Sequence, residues 1–460
     1  MAGTGRARMD LTKGSIFRTL LVFSLPILAG SVVTQLYNVA DSIVVGQFVG
    51  ADALAAVSAA TPCMSLINMF LIGLSTGSNV VIAQRAGSHD QARLQKAIGT
   101  VASLTLIISL FVTVAGVLLT RPLLQMMQTP ENVLSDAVLY LTVIFIGTSG
   151  NLIYNMGSGA LRGMGDSLWP FLFLTFCSVL NVVLDLLLVA AFSMGVLGVA
   201  VATAISQLIS GIGIIIRLNR GGYGVKLHWK SIRFDPGETR DVLRIGLPAS
   251  IQNVGNAIAN ICCQTFYNSF GSIFIAGNSI VTKIEDFSYI PAVALSTAVC
   301  TFVGQNIAAM KMDRLKKGIN SAILVLLGIG TLMCGIMLAL RNVLPHAFTQ
   351  NADVVFVAAE GLSILAFVSV FHGIDRVLVN AMRGAGKSVV PMVTAQFGAF
   401  SRIPLVWLLA IRTGNYHGVF WAMLIASLLR TLAITFYYFF GGWKKTVQQY
   451  LEKHGKTQGA

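Results

Sequence analysis

Charge is what this sequence is short of. Of its 460 residues only 11% are Asp, Glu, Lys or Arg and 55% are hydrophobic, with a mean hydropathy of +0.76. An ordinary soluble domain carries roughly 25% charged residues, so this chain could not cover itself with polar surface and reads as an integral membrane protein. Cysteine is scarce as well. The six present (Cys63, Cys177, Cys262, Cys263, Cys300 and Cys334) lie in apolar stretches without CxxC spacing. That excludes a zinc ribbon or a secreted disulfide framework and leaves small buried hydrophobes. The first apolar run lacks a small-residue cleavage site, so it is read as a span and not as a leader.

What is abundant is long apolar runs. Stretches of the length that crosses a roughly 30 Å hydrocarbon layer fall near 17–43, 53–82, 97–119, 134–157, 169–192 and 195–216. A second set falls near 242–269, 273–303, 319–340, 355–381, 389–411 and 417–440. They are too long and too continuously apolar for barrel strands, which alternate over about ten residues, so a bundle of twelve helices is expected.

The 32 basic residues outnumber the 18 acidic ones, and their placement accounts for the excess. With the N-terminus in the cytoplasm, the segments on that side hold 25 Lys or Arg; the opposite loops hold only Arg121, Arg341 and Arg412. This is a positive-inside pattern beside anionic lipid, with both termini cytoplasmic and no need of a nucleic-acid partner.

Self-comparison reveals a repeat. "LRGMGDSLWP" at 161–170 matches "MRGAGKSVVP" at 382–391, an offset of 221 that also relates "LST" at 74–76 to 295–297 and Gln84 to Gln305; "FSLP" at 23–26 is echoed by "IGLP" at 245–248. A duplicated six-span unit follows, and because six is even the two copies are parallel. The expected organisation is a six-helix lobe at 1–216, a basic cytoplasmic linker at 217–241, a second lobe at 242–445 and a cytoplasmic tail at 446–460. "GAGKS" at 384–388 is not a phosphate loop: the required earlier glycine is Ala381, and a membrane span precedes it.

Acids inside spans are expensive and therefore functional by default. Asp41 and Asp185 stand out. Asn38 precedes Asp41 by three residues and Asn181 precedes Asp185 by four, each pair on one helical face, and Thr203 adds a hydroxyl in span six. Carboxylates, an amide and a hydroxyl are hard ligands for a proton or Na+. Two carboxylates in a poorly hydrated pocket resist being ionised together, which makes a cation switch. The counterparts in the second half are Cys262 or Cys263, Arg402 and Val406, so that half has lost the acids. Glu285 and Asp286, with Lys283 beside them, read as a structural group. Gln35, Tyr37, Asn38 and Asn155 are polar candidates for cargo contact. Pro26 and Pro248 can kink spans one and seven during gating.

These features together ("SLP" in span one, "NVADSIVVGQFVG", "AQRAGSHD", "LRGMGDS", "MRGAGKS") resemble the multidrug and toxic compound extrusion (MATE) family, especially its DinF-like branch, from about residue 12 to 445. The resemblance implies a V-shaped, two-lobed secondary transporter that exports amphipathic or cationic compounds by antiport with H+ or Na+. It implies no enzymatic activity and no cofactor beyond the coupling ion. It also implies a cation site at Asp41, Asn181, Asp185 and Thr203, and location in a bacterial plasma membrane as a monomer. One departure is that the acid some members carry in span seven would stand near Asn256; Asp375 matches another such acid and by that resemblance is a further candidate for cargo contact, with Arg376 as an available partner. Two alternatives remain. A flippase for a lipid-linked precursor would need Lys283, Arg376, Arg402 and Arg430 gathered in one cationic cavity. A scaffold or receptor leaves the buried acids unexplained.

Overall fold

A computed structural model describes residues 8–48, 51–220, 222–225, 227 and 231–442; side chains at 38–40, 42–48 and 51–54 lie outside that description. The described chain is helical: α1 Ile16–Phe48, α2 Ala51–Gly87, α3 Gln91–Met126, α4 Glu131–Gly163, α5 Leu168–Asp185, α6 Gly195–Arg220, α7 Pro236–Asn268, α8 Gly271–Ala308, α9 Met312–Ala339, α10 Ala352–Leu365, α11 Val368–Gly384, α12 Val389–Val406 and α13 His417–Phe440. Ten of these are long and apolar enough to cross a membrane, or eleven if α10 and α11, bent by 49°, form one broken span.

The expected twelfth span is α7. Its 33 residues would reach about 50 Å at 1.5 Å per residue, but it is not apolar enough to qualify. Glu238, Arg240, Asp241 and Arg244 occupy its first turns, and the amides Gln252, Asn256, Asn260 and Gln264 recur every four residues along one side.

The repeat is explicit in the helix ends. α5 and α12 begin at 168 and 389, and each passes into a π-helical turn, Leu186–Ala191 and Trp407–Ile411. α4 spans 131–163, and the α10–α11 pair spans 352–384. The paired motifs gain a structural meaning. Gly165 and Gly386 adopt φ of +90° and +80°, the left-handed region that a side chain resists, and turn the chain out of α4 and α11. These are turns, not phosphate cradles.

The chain divides into two compact units, one comprising Met1–Asp10 and Leu25–Ser250, the other Leu11–Ser24 and Ile251–Ala460. Two of the three divisions fall inside α1 and α7, two residues from Pro26 and two from Pro248. In the first unit, α4 packs on α6 through small residues: a Cβ at Gly147 would stand 2.6 Å from Ala204 Cβ, the close approach by which membrane helices associate. Arg85 donates to Glu238 at 3.1 Å and to Asp241 at 2.8 Å, fastening the start of α7 to the end of α2. In the second unit, Arg314 donates to the carbonyls of Leu11, Lys13 and Gly14, and Leu11 N–H donates to Gln305 at 3.1 Å. Its core gathers Phe274, Leu362, Leu365, Phe420 and their neighbours. The six cysteines are free.

Candidate functional site

The first unit carries a buried polar site built on α1, α4, α5 and α6. Asn181 and Asp185 lie one turn apart on α5, and Asp185 is the last α-helical residue before the π turn, a distortion found often at functional positions. Both are buried, Asp185 completely. With its amide nitrogen facing the carboxylate, Asn181 donates to Asp185 Oδ2 at 2.8 Å and accepts the Thr203 N–H at 3.1 Å; this orientation pairs each donor with an acceptor. Tyr37 on α1 shares a hydrogen bond with Thr203. Asp41, one turn after Tyr37, lies within electrostatic reach of Asp185, and both carboxylates act on Tyr37 and Tyr140.

One oxygen of each acid, Oδ1 of Asp41 and Oδ1 of Asp185, is buried with no hydrogen-bond partner among the described residues. An ionised carboxylate left this way inside a membrane protein is costly. A proton shared there, or a small hard cation with oxygen ligands, would relieve both at once. Among the described residues no group of three His, Cys, Asp or Glu could hold a metal, so a cation would rely on the Asp41 and Asp185 carboxylates and the Thr203 hydroxyl, with Asn181 orienting Asp185.

Asn181 and Thr203 also line a cavity of about 440 Å³, within the size range of small-molecule pockets, together with Tyr37, Asn155, Asn68, Asn151, Tyr154 and Gln207. Four expected residues, Tyr37, Asn155, Asn181 and Thr203, thus meet there, while Asp41 and Asp185 stand outside the lining and Asp185 connects to it through Asn181. Gln35 is half-buried and does not line the cavity. The Asn38 side chain lies outside the described residues. Asn68, Asn151 and Tyr140 were not foreseen. Asn151 donates to Asn68 at 2.8 Å, and Asn155 donates to the Asn151 side chain; the signal for this ladder was the four-residue spacing in "NLIYN".

Asp375 belongs to the second unit. It is buried and paired with Arg430, Nε to Oδ1 at 2.9 Å and Nη2 to Oδ2. Its sequence neighbour Arg376, the partner suggested by adjacency, points elsewhere because successive residues on a helix face about 100° apart. Arg402 donates to Asn260 at 2.7 Å, and Lys283 lies 5.8 Å from the centre of the Phe348 ring. Three of the four cations that a flippase would need in one cavity, Arg430, Arg402 and Lys283, therefore have separate engagements.

A third cluster closes the end of the first unit. Asp166 accepts from Arg217 at 3.1 Å, from the Tyr223 hydroxyl and from Trp169 N–H, while Arg217 stacks on the rings of Trp169 and Tyr223. Burial, and then the hydrogen bond to Asp166, pushes the Tyr223 phenol above its ordinary value.

Both halves of the chain match one known family. The MatE family model matches residues 26–187 and again 248–408, more than half of the chain. The chain belongs to the MATE family. Among the relatives of this MATE protein is the probable multidrug resistance protein YoeA of Bacillus subtilis (strain 168), 27% identical over 442 residues, covering 94% of this chain and 96% of that protein. The probable multidrug resistance protein NorM of Thermotoga maritima is 24% identical over 454 residues, covering 94% of each. The fold is similar to a multidrug resistance MATE family transporter of the MOP superfamily in an outward-facing conformation, with a TM-score of 0.88 at 22% identity over 98% of this chain and all of the other. The protein is a multi-pass membrane transporter of this family.

Proposed function

We propose that the protein is a secondary active exporter of amphipathic or cationic organic compounds, driven by protons, or alternatively Na+, entering at Asp41 and Asp185. The observation that carries this reading is two carboxylates, Asp185 fully buried and Asp41 partly so, each with a buried oxygen that has no partner among the described residues, with Asn181 joining Asp185 to a cavity large enough for a drug-sized molecule. A proton taken by either acid changes the charge beside Asn181, Thr203 and Tyr37, which belong also to the cargo cavity, so coupling needs no long relay. The names of the curated relatives support efflux as the direction of use. The positive-inside distribution supports cytoplasmic termini in a bacterial plasma membrane, and the motif set supports the DinF-like branch. The working unit is taken to be the monomer.

The test uses inside-out proteoliposomes with an acidic lumen and no sodium. Uptake of a fluorescent organic cation by the wild type, lost in Asp41→Asn and in Asp185→Asn, is the expected result. Undiminished uptake in either variant would remove that acid from the mechanism. Uptake that requires an imposed sodium gradient instead would transfer the coupling to Na+.

A further inference from the structure

A membrane-buried cation without an acidic partner among the described residues stands in the second unit. Arg376 on α11 lies with its guanidinium over the Tyr289 ring of α8, 4.6 Å from the centroid. Its Nε and the Tyr289 hydroxyl are both buried with no hydrogen-bond partner among the described residues. The carboxylate next in sequence, Asp375, is committed to Arg430 through both oxygens. The other arginines nearby hold neutral amides: Arg383 donates to Gln252 and Arg402 to Asn260, each at 2.7 Å. A guanidinium within a spanning segment is expensive, and stacking on an aromatic face recovers only part of the cost. Two donors on one stacked pair, with no acceptor supplied by the described chain, match an oxyanion, which the planar guanidinium fork suits in charge and geometry.

The repeat points the same way. At the 221-residue offset, Arg376 corresponds to Asn155 and His372, edge-on to Tyr289 at 5.1 Å, corresponds to Asn151; both asparagines line the cavity of the first unit. Arg402 likewise replaces Asn181. Positions that present neutral amides to a cavity in one copy present cationic or ionisable groups in the other.

We propose that Arg376 and Tyr289 form an oxyanion-binding site for the carboxylate, sulfonate or phosphate of an amphipathic molecule. The site extends the cargo range from cations to zwitterions, and in that respect it rests on the efflux reading above.

A matched pair of dyes tests it: rhodamine 110, which bears a free carboxylate, and rhodamine 123, its methyl ester. Fluorescence polarisation with the full-length protein in phosphatidylcholine nanodiscs should show Arg376→Gln weakening rhodamine 110 about tenfold, the worth of one charge-assisted contact. Rhodamine 123 should change by less than about twofold, since its ester offers no such contact. Tyr289→Phe, which keeps the ring, should weaken rhodamine 110 by a smaller factor, and Arg376→Lys should lose less than Arg376→Gln. Equal losses for both dyes would mean a structural role and overturn the proposal. So would rhodamine 110 binding that ignores all three variants while rhodamine 123 still binds, an outcome that leaves the efflux reading intact. Failure of the wild type to bind either dye would overturn both. Phosphatidic acid added to the nanodiscs separates the sources of the oxyanion: competition with rhodamine 110 in the wild type alone assigns the site to a lipid phosphate, and absence of competition assigns it to soluble cargo.

Discussion

The two copies of the repeat share a backbone and have opposite polar chemistry. In the first unit, α5 carries Asn181 and Asp185 into a set of carboxylates, amides and phenols; in the second, the same helix positions on α12 are Arg402 and Val406. Asn151 and Asn155 of α4 become His372 and Arg376 of α11. The π turn survives in both copies, yet only in the first does an acid precede it. Duplication thus preserved what packing requires and freed the polar positions to diverge, because a backbone distortion is held by many contacts whereas a charge is set by one side chain.

The largest expected effect comes from making the first copy resemble the second. Asn181→Arg sets a guanidinium against Asp185, and a buried pair of that kind is worth several kcal/mol. Acid-gradient-driven uptake should fall about a hundredfold, while the reciprocal Arg402→Asn should leave it within about twofold, the scale of a minor contact. Equal sensitivity of the two units would break the comparison.

Next is stability. Asp375→Asn leaves Arg430 buried without its partner and should cost about 3–5 kcal/mol, read as a lowered melting temperature in nanodiscs. Asp375→Asn combined with Arg430→Met should recover much of the loss. No recovery would mean that the pair does more than neutralise itself.

Smaller losses, of about 1–2 kcal/mol for a side chain forced into left-handed backbone, are expected for Gly386→Ala. Gly165→Ala should cost more than its counterpart, since Gly165 also takes the Met9 N–H at 2.8 Å and a Cβ there would meet the Met9 carbonyl.

The smallest effect concerns the linker, which Lys96 of the first unit binds through Asp235. A hydrogen bond from Lys96, and then one from Glu238 N–H, hold Asp235 below the usual carboxylate range. Because the folded value is depressed, the contribution is present above about pH 4 and is lost as pH falls through the lowered value. Lys96→Ala should flatten the acid-side slope of melting temperature against pH. Lys317→Ala, the same position in the second unit, should not change it.

Much of the site was readable before any fold was known. Asp41 and Asp185 announce themselves because a carboxylate in an apolar run has few other reasons to exist, and Asn181 follows from helical spacing. Asn68, Asn151 and Tyr140 did not announce themselves: amides and phenols are common enough in membrane helices that only convergence from separate elements marks them. The pairing of Asp375 was misleading in one dimension, since Arg376 is adjacent in sequence and Arg430 is adjacent in space.

By itself the sequence determined the membrane class, the helical architecture, the duplication and the candidate acids. Each depends on local composition or on spacing along the chain, which the period of the helix and the thickness of the bilayer translate directly. Only the tertiary structure decided that Asn181 belongs at once to the Asp185 carboxylate and to the cavity, and that Arg376 faces Tyr289 instead of an acid. These depend on which helix faces meet, and long-range packing sets those meetings where local sequence cannot.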